Sequence, residues 1–225
     1  MTTVGMVLFP NLTQLDATGP YEVLARMPDT RVILTAASLD PVVSQYGLAI
    51  LPEVAFGQAP LFDILCVPGG DGVNGVLDDA PFLAFLRKQG EQARLITGVC
   101  TGGLLLGAAG LLRGYRATTH WLSLDLLPLF GAVPVAERVV IDRNRITAAG
   151  VTAGIDLSLT VAAHLHGADV AREIQLMMEY DPTPPFRGGS PRTADAATVA
   201  RIKASRQPLQ DERKQIIERA SRISS

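Results

Sequence analysis

Residues 94–110 read RLITGVCTGGLLLGAAG. The apolar run 95–99 has the length and composition of a buried strand. The small-residue stretch 102–109 reads as a helix packed closely against a sheet. Between them, Gly98-Val99-Cys100-Thr101-Gly102 has the glycine-x-nucleophile-x-glycine spacing of a nucleophile elbow, with Cys where hydrolases carry Ser. A tight strand-to-helix turn needs strained backbone and leaves no room for a Cβ on either side, which gives the two glycines their job. The same turn sets the Cys100 sulfur near a helix N-terminus, where unpaired amides and the helix dipole favour thiolate over thiol. A lone Cys is more often a buried structural residue. The strand–GxCxG–helix context reverses that and predicts a reactive sulfur.

Upstream of the elbow, 63–67 is a second buried strand that runs into Pro68-Gly69-Gly70-Asp71-Gly72-Val73-Asn74-Gly75. Gly70, Gly72 and Gly75 match the GxGxxG dinucleotide fingerprint. That fingerprint also requires the first βα unit and an acid at the end of the next strand. This unit is a later one, and 94–100 holds no Asp or Glu. The loop is better read as backbone amides facing the elbow, able to hold a developing negative charge.

Further out, 4–9 is a short apolar strand, followed by NLTQLDATGPYEVLARM, in which Asp16 lies among apolar residues. Gly19-Pro20 is expected to start or kink a helix over 21–27. Residues 31–37 form another strand, 41–46 and 48–54 a hairpin about Gly47, and 80–91 a helix. Beyond the elbow, 116–121 is a short strand or turn ending at His120-Trp121. Two β-like runs, 132–141 and 145–148, turn at 142–144, and helices follow at 153–166 and 168–179. This alternation predicts an α/β fold: a doubly wound, mostly parallel sheet flanked by helices on both faces, its ligand crevice at the carboxyl ends of the strands. Residues 181–191 are rich in Pro and Gly and form a linker or a surface strap that Phe186 would anchor. Helical patterns at 194–205 and 208–223 then pack on the body or on a second subunit. The expected division is an α/β domain over 1–180 and a strap with C-terminal helices over 181–225.

The totals agree. The chain has 225 residues, 48% of them hydrophobic, enough for one sizeable core. A net charge of −2 gives no basic excess for nucleic acid. Cys66 and Cys100 make no disulfide framework, which fits a reducing compartment. With neither a signal-like start nor a spanning apolar run, the chain is expected to be soluble and cytoplasmic. No Cys, His, Asp or Glu cluster has metal-ligand spacing, and no metal or cofactor is expected.

A Cys nucleophile needs a proton partner. His164 and His166 are two apart on one helix and point to different faces, so both read as structural. His120 ends a strand-like run and is able to approach Cys100. A histidine stacked by Trp121 is the competing reading. Asp16 follows the first strand, whose loop opens at the same sheet edge as the elbow. Beside a thiolate, like-charge repulsion and desolvation would raise its pKa and leave a protonated carboxyl ready as general acid.

GVCTGG, the PGG loop, DATGPYEVL and ATTHW together resemble the ThiJ/PfpI superfamily over about residues 3–180. The resemblance implies a flavodoxin-like, class I glutamine-amidotransferase-like fold and a homodimer. It implies Cys100 as nucleophile, Asp16 in the acid position where many relatives have Glu, and Gly70 and Thr101 amides as oxyanion donors. The tail YDPTPPFRGGSP resembles the isonitrile hydratase branch, as does Thr101 after the nucleophile, where PfpI-type proteases have His. That branch implies hydration of an isonitrile to an N-substituted formamide through a Cys100 thioimidate, with the Thr101 hydroxyl holding Asp16 or the water. Other cysteine-dependent hydrolases, glyoxalase-like enzymes and redox or ligand sensors of the superfamily remain alternatives.

Overall fold

Two short runs, Ile64–Val67 and Leu95–Val99, have no exposed residue, so both faces of the sheet at its centre must be covered. The computed structural model describes residues 1–223, with side chains to 219. Its main sheet contains β1 (Thr2–Val7), β2 (Thr30–Ala36), β5 (Val54–Ala55), β6 (Ile64–Val67), β7 (Leu95–Val99), β10 (Val139–Asp142) and β11 (Arg145–Ala148) in the order β10-β11-β7-β6-β1-β2-β5. Every pairing is parallel except β10 with β11. Two small sheets stand apart: β3 (Val42–Val43) with β4 (Ala49–Ile50), and β8 (Arg116–Ala117) with β9 (Val133–Pro134).

The crossovers set the layers. α1 (Gln14–Leu24) links β1 to β2 in one direction along the sheet, and α2 (Ala80–Gln92) links β6 to β7 in the other. With right-handed connections, the two helices fall on opposite faces. α4 (Ala153–His166) packs on α1 and on α5 (Ala168–Met177), whereas α3 (Gly102–Ala108) packs on α2. The direction of winding changes between β1 and β6. The loops leaving β1, β6 and β7 therefore open side by side at the carboxyl edge.

Several local expectations are corrected. The first helix begins at Gln14, not at Gly19-Pro20, and holds Pro20 inside it. Gly19 and Pro20 are the contact with α4: a Cβ on Gly154 would lie 3.0 Å from Pro20 Cγ. Small residues here serve helix–helix approach rather than helix initiation. The hairpin is shorter than 41–54, because Val54–Ala55 leaves it to pair with β2. Likewise 132–141 divides: Val133–Pro134 pairs with Arg116–Ala117, and only Val139–Asp142 joins the main sheet. Phe186 anchors nothing, being 83% exposed. Its segment is tied instead by Arg192, which donates to the Ala136 carbonyl at 3.0 Å. The two C-terminal helical patterns are one helix, α6 (Ala196–Ile223), running through Pro208. Proline removes a single donor, and α6 is bound to the body on both sides of it, through Arg206 to Asp71 and through Gln210 and Arg213 to Ser123.

Candidate active site

Cys100 is the residue immediately after β7, and it takes φ +54°, a left-handed conformation uncommon for a side-chain-bearing residue. The strain expected of the elbow thus sits on the nucleophile itself. The glycines supply room: a Cβ on Gly102 would lie 2.1 Å from the Val67 carbonyl oxygen. The turn is held from two further sides. Cys100 N–H donates to the Ala148 carbonyl at 3.0 Å, and Thr119 Oγ1 donates to the Cys100 carbonyl at 2.7 Å.

Asp16, in the first turn of α1, is fully buried and reaches the Cys100 thiol. Its Oδ2 accepts from the Gly69 N–H at 2.9 Å. Oδ1 is buried without a well-formed hydrogen bond among the described residues, so the approach to the sulfur is close but poorly aligned. Burial pushes the Asp16 carboxyl up to about 7, against the Gly69 amide and the thiol, which pull it down. The raised value matches the expectation, but its leading cause is desolvation, not repulsion by a thiolate. The expected ionised sulfur is itself corrected. Burial first, then the Asp16 charge, holds the Cys100 thiol well above its ordinary range, and the Thr101 amide pulls the other way. The helix behind the elbow has only 7 residues, too short a dipole to offset that burial. The pair therefore stores its proton rather than displaying a free thiolate.

Thr101 and Gly70 also depart from expectation. The Thr101 hydroxyl accepts from Gly70 N–H at 2.9 Å and donates to Gly70 O at 3.2 Å, so it clasps the glycine loop and is not bound to Asp16. The Gly70 N–H is thereby taken and is not a free oxyanion donor. Gly72 N–H is likewise given to the Asn11 carbonyl at 3.0 Å. These amides secure the loop, and a phosphate would find them occupied. The Thr101 N–H, directed at the sulfur, is the amide left to serve the reacting centre.

A cavity of about 570 Å³ opens above Cys100 and Thr101, with His120 and Trp121 on its wall. His120 Nδ1 accepts from Leu122 N–H at 3.4 Å, and its ring lies tilted on Trp121 at 5.9 Å. Burial, then the Arg213 and Arg206 charges, pushes it down to about 4, so it is neutral and a poor base at pH 7. His164 and His166 lie outside this wall, at the end of α4. Cys66, one strand away, is wholly buried, its thiol pushed up to about 12. Sequence reasoning missed two parts of the wall: Gln45 and Tyr46 from the hairpin turn, and Ile202, Arg206, Gln210 and Arg213 from α6. The last four recur at helical spacing, the one signal that could have joined them.

An elbow cysteine, an acid from the first helix beside it and a flavodoxin-like sheet define a class, and the chain belongs to the DJ-1/PfpI family, whose pattern it matches over residues 2–164. Within that class it is 51% identical to the isonitrile hydratase of Pseudomonas putida, over 97% of this chain and 96% of that protein. The crystal structure of a ThiJ/PfpI family protein from Pseudomonas syringae superposes with a TM-score of 0.94 at 43% identity, covering 96% of this chain and 90% of the other. The HTH-type transcriptional regulator GbdR of Pseudomonas aeruginosa is 33% identical over 80% of this chain but only 51% of its own length. Among the described residues, no helix is long and apolar enough to cross a membrane.

Proposed function

We propose that this chain is an isonitrile hydratase, adding water to an isonitrile to give an N-substituted formamide with Cys100 as nucleophile and Asp16 as the proton carrier. The observation that carries this is the buried Asp16–Cys100 pair, which holds a proton near neutrality beside a soft nucleophile. The likeness to the Pseudomonas putida enzyme over nearly the whole chain supports it.

The steps balance on that one carboxyl. Asp16 as carboxylate takes the Cys100 S–H proton while Sγ bonds to the terminal isonitrile carbon. As the Sγ–C bond forms, one C–N π pair moves to nitrogen, and the carbon's own lone pair takes the proton back from Asp16, leaving a thioimidate, R–N=CH–S. Asp16 then removes a proton from water as its oxygen bonds to the same carbon, and that proton passes to nitrogen. Collapse forms the formyl C=O and breaks C–S, and the hydroxyl proton returns to sulfur through Asp16. Negative charge develops on carbon, where Asp16 quenches it, rather than on oxygen. This chemistry makes little use of an oxyanion hole, which suits a site whose Gly70 amide is already engaged. Acyl transfer to a peptide or ester depends on such donors. By the family resemblance, the working protein is a homodimer, which sedimentation checks.

Incubation with an alkyl isonitrile is expected to yield the corresponding formamide, and Cys100→Ala to yield none. Absence of formamide from the native protein, or undiminished turnover in Cys100→Ala, would falsify the reading. Loss of activity in His120→Ala with only a mild effect of Asp16→Asn would point to a carbonyl or amide substrate instead.

A further inference from the structure

Arg213 heads the largest fully buried side chains and is 1% exposed, yet it sits on the wall of the Cys100 cavity. Its Nε donates to Asn74 Oδ1 at 2.8 Å and its Nη1 to Ser123 Oγ at 3.0 Å, both neutral acceptors. Nη2 has no hydrogen bond among the described residues, and no carboxylate there lies within ion-pair distance of the guanidinium. The groups of opposite charge that face it are the Cys100 sulfur, Asp71 and Glu212, and the two carboxylates are engaged elsewhere, Asp71 with Arg206 and Glu212 with the Asn74 amide. A buried charge without a counter-ion is costly, and such groups are retained where they have a partner to meet. Fastening α6 does not require the charge. Asn74 already donates to the Leu209 carbonyl, and Ser123 to Gln210, through neutral bonds.

We infer that Arg213 is a specificity residue that receives an anionic group of the substrate, a carboxylate borne on the isonitrile's substituent, while the isonitrile carbon lies at Cys100. The inference rests on the isonitrile reading above and names the substrate class of that same site. Guanidinium and carboxylate are matched in shape, and a charge-assisted bond shielded from water is among the strong ones.

The test compares three probes of one length: ω-isocyanobutanoate, its primary amide, and ω-isocyanobutylammonium. For the wild-type protein, kcat/KM is expected to favour the carboxylate over the amide by about tenfold or more, mainly through KM, with the ammonium poorest. Arg213→Gln brings the carboxylate-to-amide ratio to about one, and Arg213→Lys keeps part of it. Taking the ratio within one variant cancels any loss of folded protein. Equal rates on all three probes, or a ratio that survives Arg213→Gln, overturns the proposal. A second arm does not depend on turnover: pentanoate, but not pentanamide, is expected to slow iodoacetamide labelling of Cys100 in the wild type and to lose that effect in Arg213→Gln. Protection without formamide from any probe leaves the anion subsite standing and removes the isonitrile reading. If Arg213→Gln does not fold, the wild-type probe order and the pentanoate protection still decide.

Discussion

Asp16 is a carboxylic acid without water to solvate its charge, and two measurable consequences follow. The first is catalytic. The buried pair gives up its first proton near the value of about 7 to which Asp16 is pushed. Because the first step needs Asp16 as the base, kcat/KM should rise as pH increases through about 7 and then level off. Asp16→Asn should lower activity at least about 100-fold and leave no such limb, the scale usual for a lost general acid–base. The second concerns stability. A carboxyl whose pKa in the fold lies above its ordinary 3.8 holds a proton that the unfolded chain has released. Stability is then fullest below about pH 4 and falls as pH rises towards 7, where the buried charge appears. Asparagine keeps the shape and the acceptor for Gly69 but never ionises. Asp16→Asn is therefore expected to stabilise the protein by about 1–3 kcal/mol at pH 8, with the gain shrinking towards pH 5. Thermal melts of both proteins across pH check the sign. Much of this site was legible in the chain: Cys100 from its glycine spacing, Asp16 from its place after the first strand. The state of the sulfur was not, because a motif reports the turn but not how deeply the turn is covered. Arg213 was also hidden, since an arginine in a charged helix reads as solvated. Besides its helical spacing from Ile202, Arg206 and Gln210, its trace is Ile216 and Ile217, three and four residues on along the same face and buried with it.

The elements that carry these residues explain why Cys100 and Asp16, distant in the chain, meet. β1, β6 and β7 are neighbours, so the loops bearing Asp16, Gly69 and Cys100 leave the sheet side by side. That much follows from strand–helix alternation and connection handedness, which the sequence displays. The depth to which α1 settles does not. It is fixed by contact with α4 at Gly154, where an added Cβ would lie 3.0 Å from Pro20 Cγ and 3.1 Å from Val99 Cγ1. Pro20 read locally as a helix start because its missing N–H suits a first turn, but helix-on-helix packing overrides that preference. Gly154→Leu should thrust a side chain between α1 and the end of β7. Overpacking of this kind costs about 1–3 kcal/mol. It should also move Asp16 off the sulfur, so kcat should fall further than the loss of stability explains. A variant that melts lower but retains full kcat would show that α1 takes its position from elsewhere. The short strands were lost for a related reason. Val54–Ala55 and Val133–Pro134 span two residues each, too few to show a period, and only their pairing partners define them.

At the scale of the whole molecule, α6 adds a wall to the cavity at the sheet edge through Ile202, Arg206, Gln210 and Arg213. Among its described side chains, Arg213, Ile216 and Ile217 are the buried ones, a narrow attachment for a helix of 28 residues. Asn74 is the fastening point. Its Nδ2 donates to the Leu209 carbonyl at 3.3 Å and to Glu212 Oε2 at 2.9 Å, and its Oδ1 accepts from Arg213 at 2.8 Å. Asn74 lies in the short 3₁₀ segment Asp71–Gly75 that directly follows the Gly69-Gly70 loop, so α6 is coupled to the loop that holds Asp16. Asn74→Ala removes all three bonds and strands a buried guanidinium donor. Leaving such a donor unsatisfied costs about 1–3 kcal/mol, more for a charged group. The parallel sheet shares none of these bonds. Hydrogen exchange on the variant should therefore quicken in 196–219 and in 71–75 while β1, β6 and β7 stay protected, a local opening rather than a global one. With the wall loosened, water gains access to the Asp16–Cys100 pair, its desolvation weakens, and the rise in kcat/KM should shift to lower pH. Exchange quickened evenly through the sheet would mean that α6 and the body open together as one unit. An unmoved pH limb with α6 loosened would mean that the acid owes its raised pKa to α1 and the sheet alone.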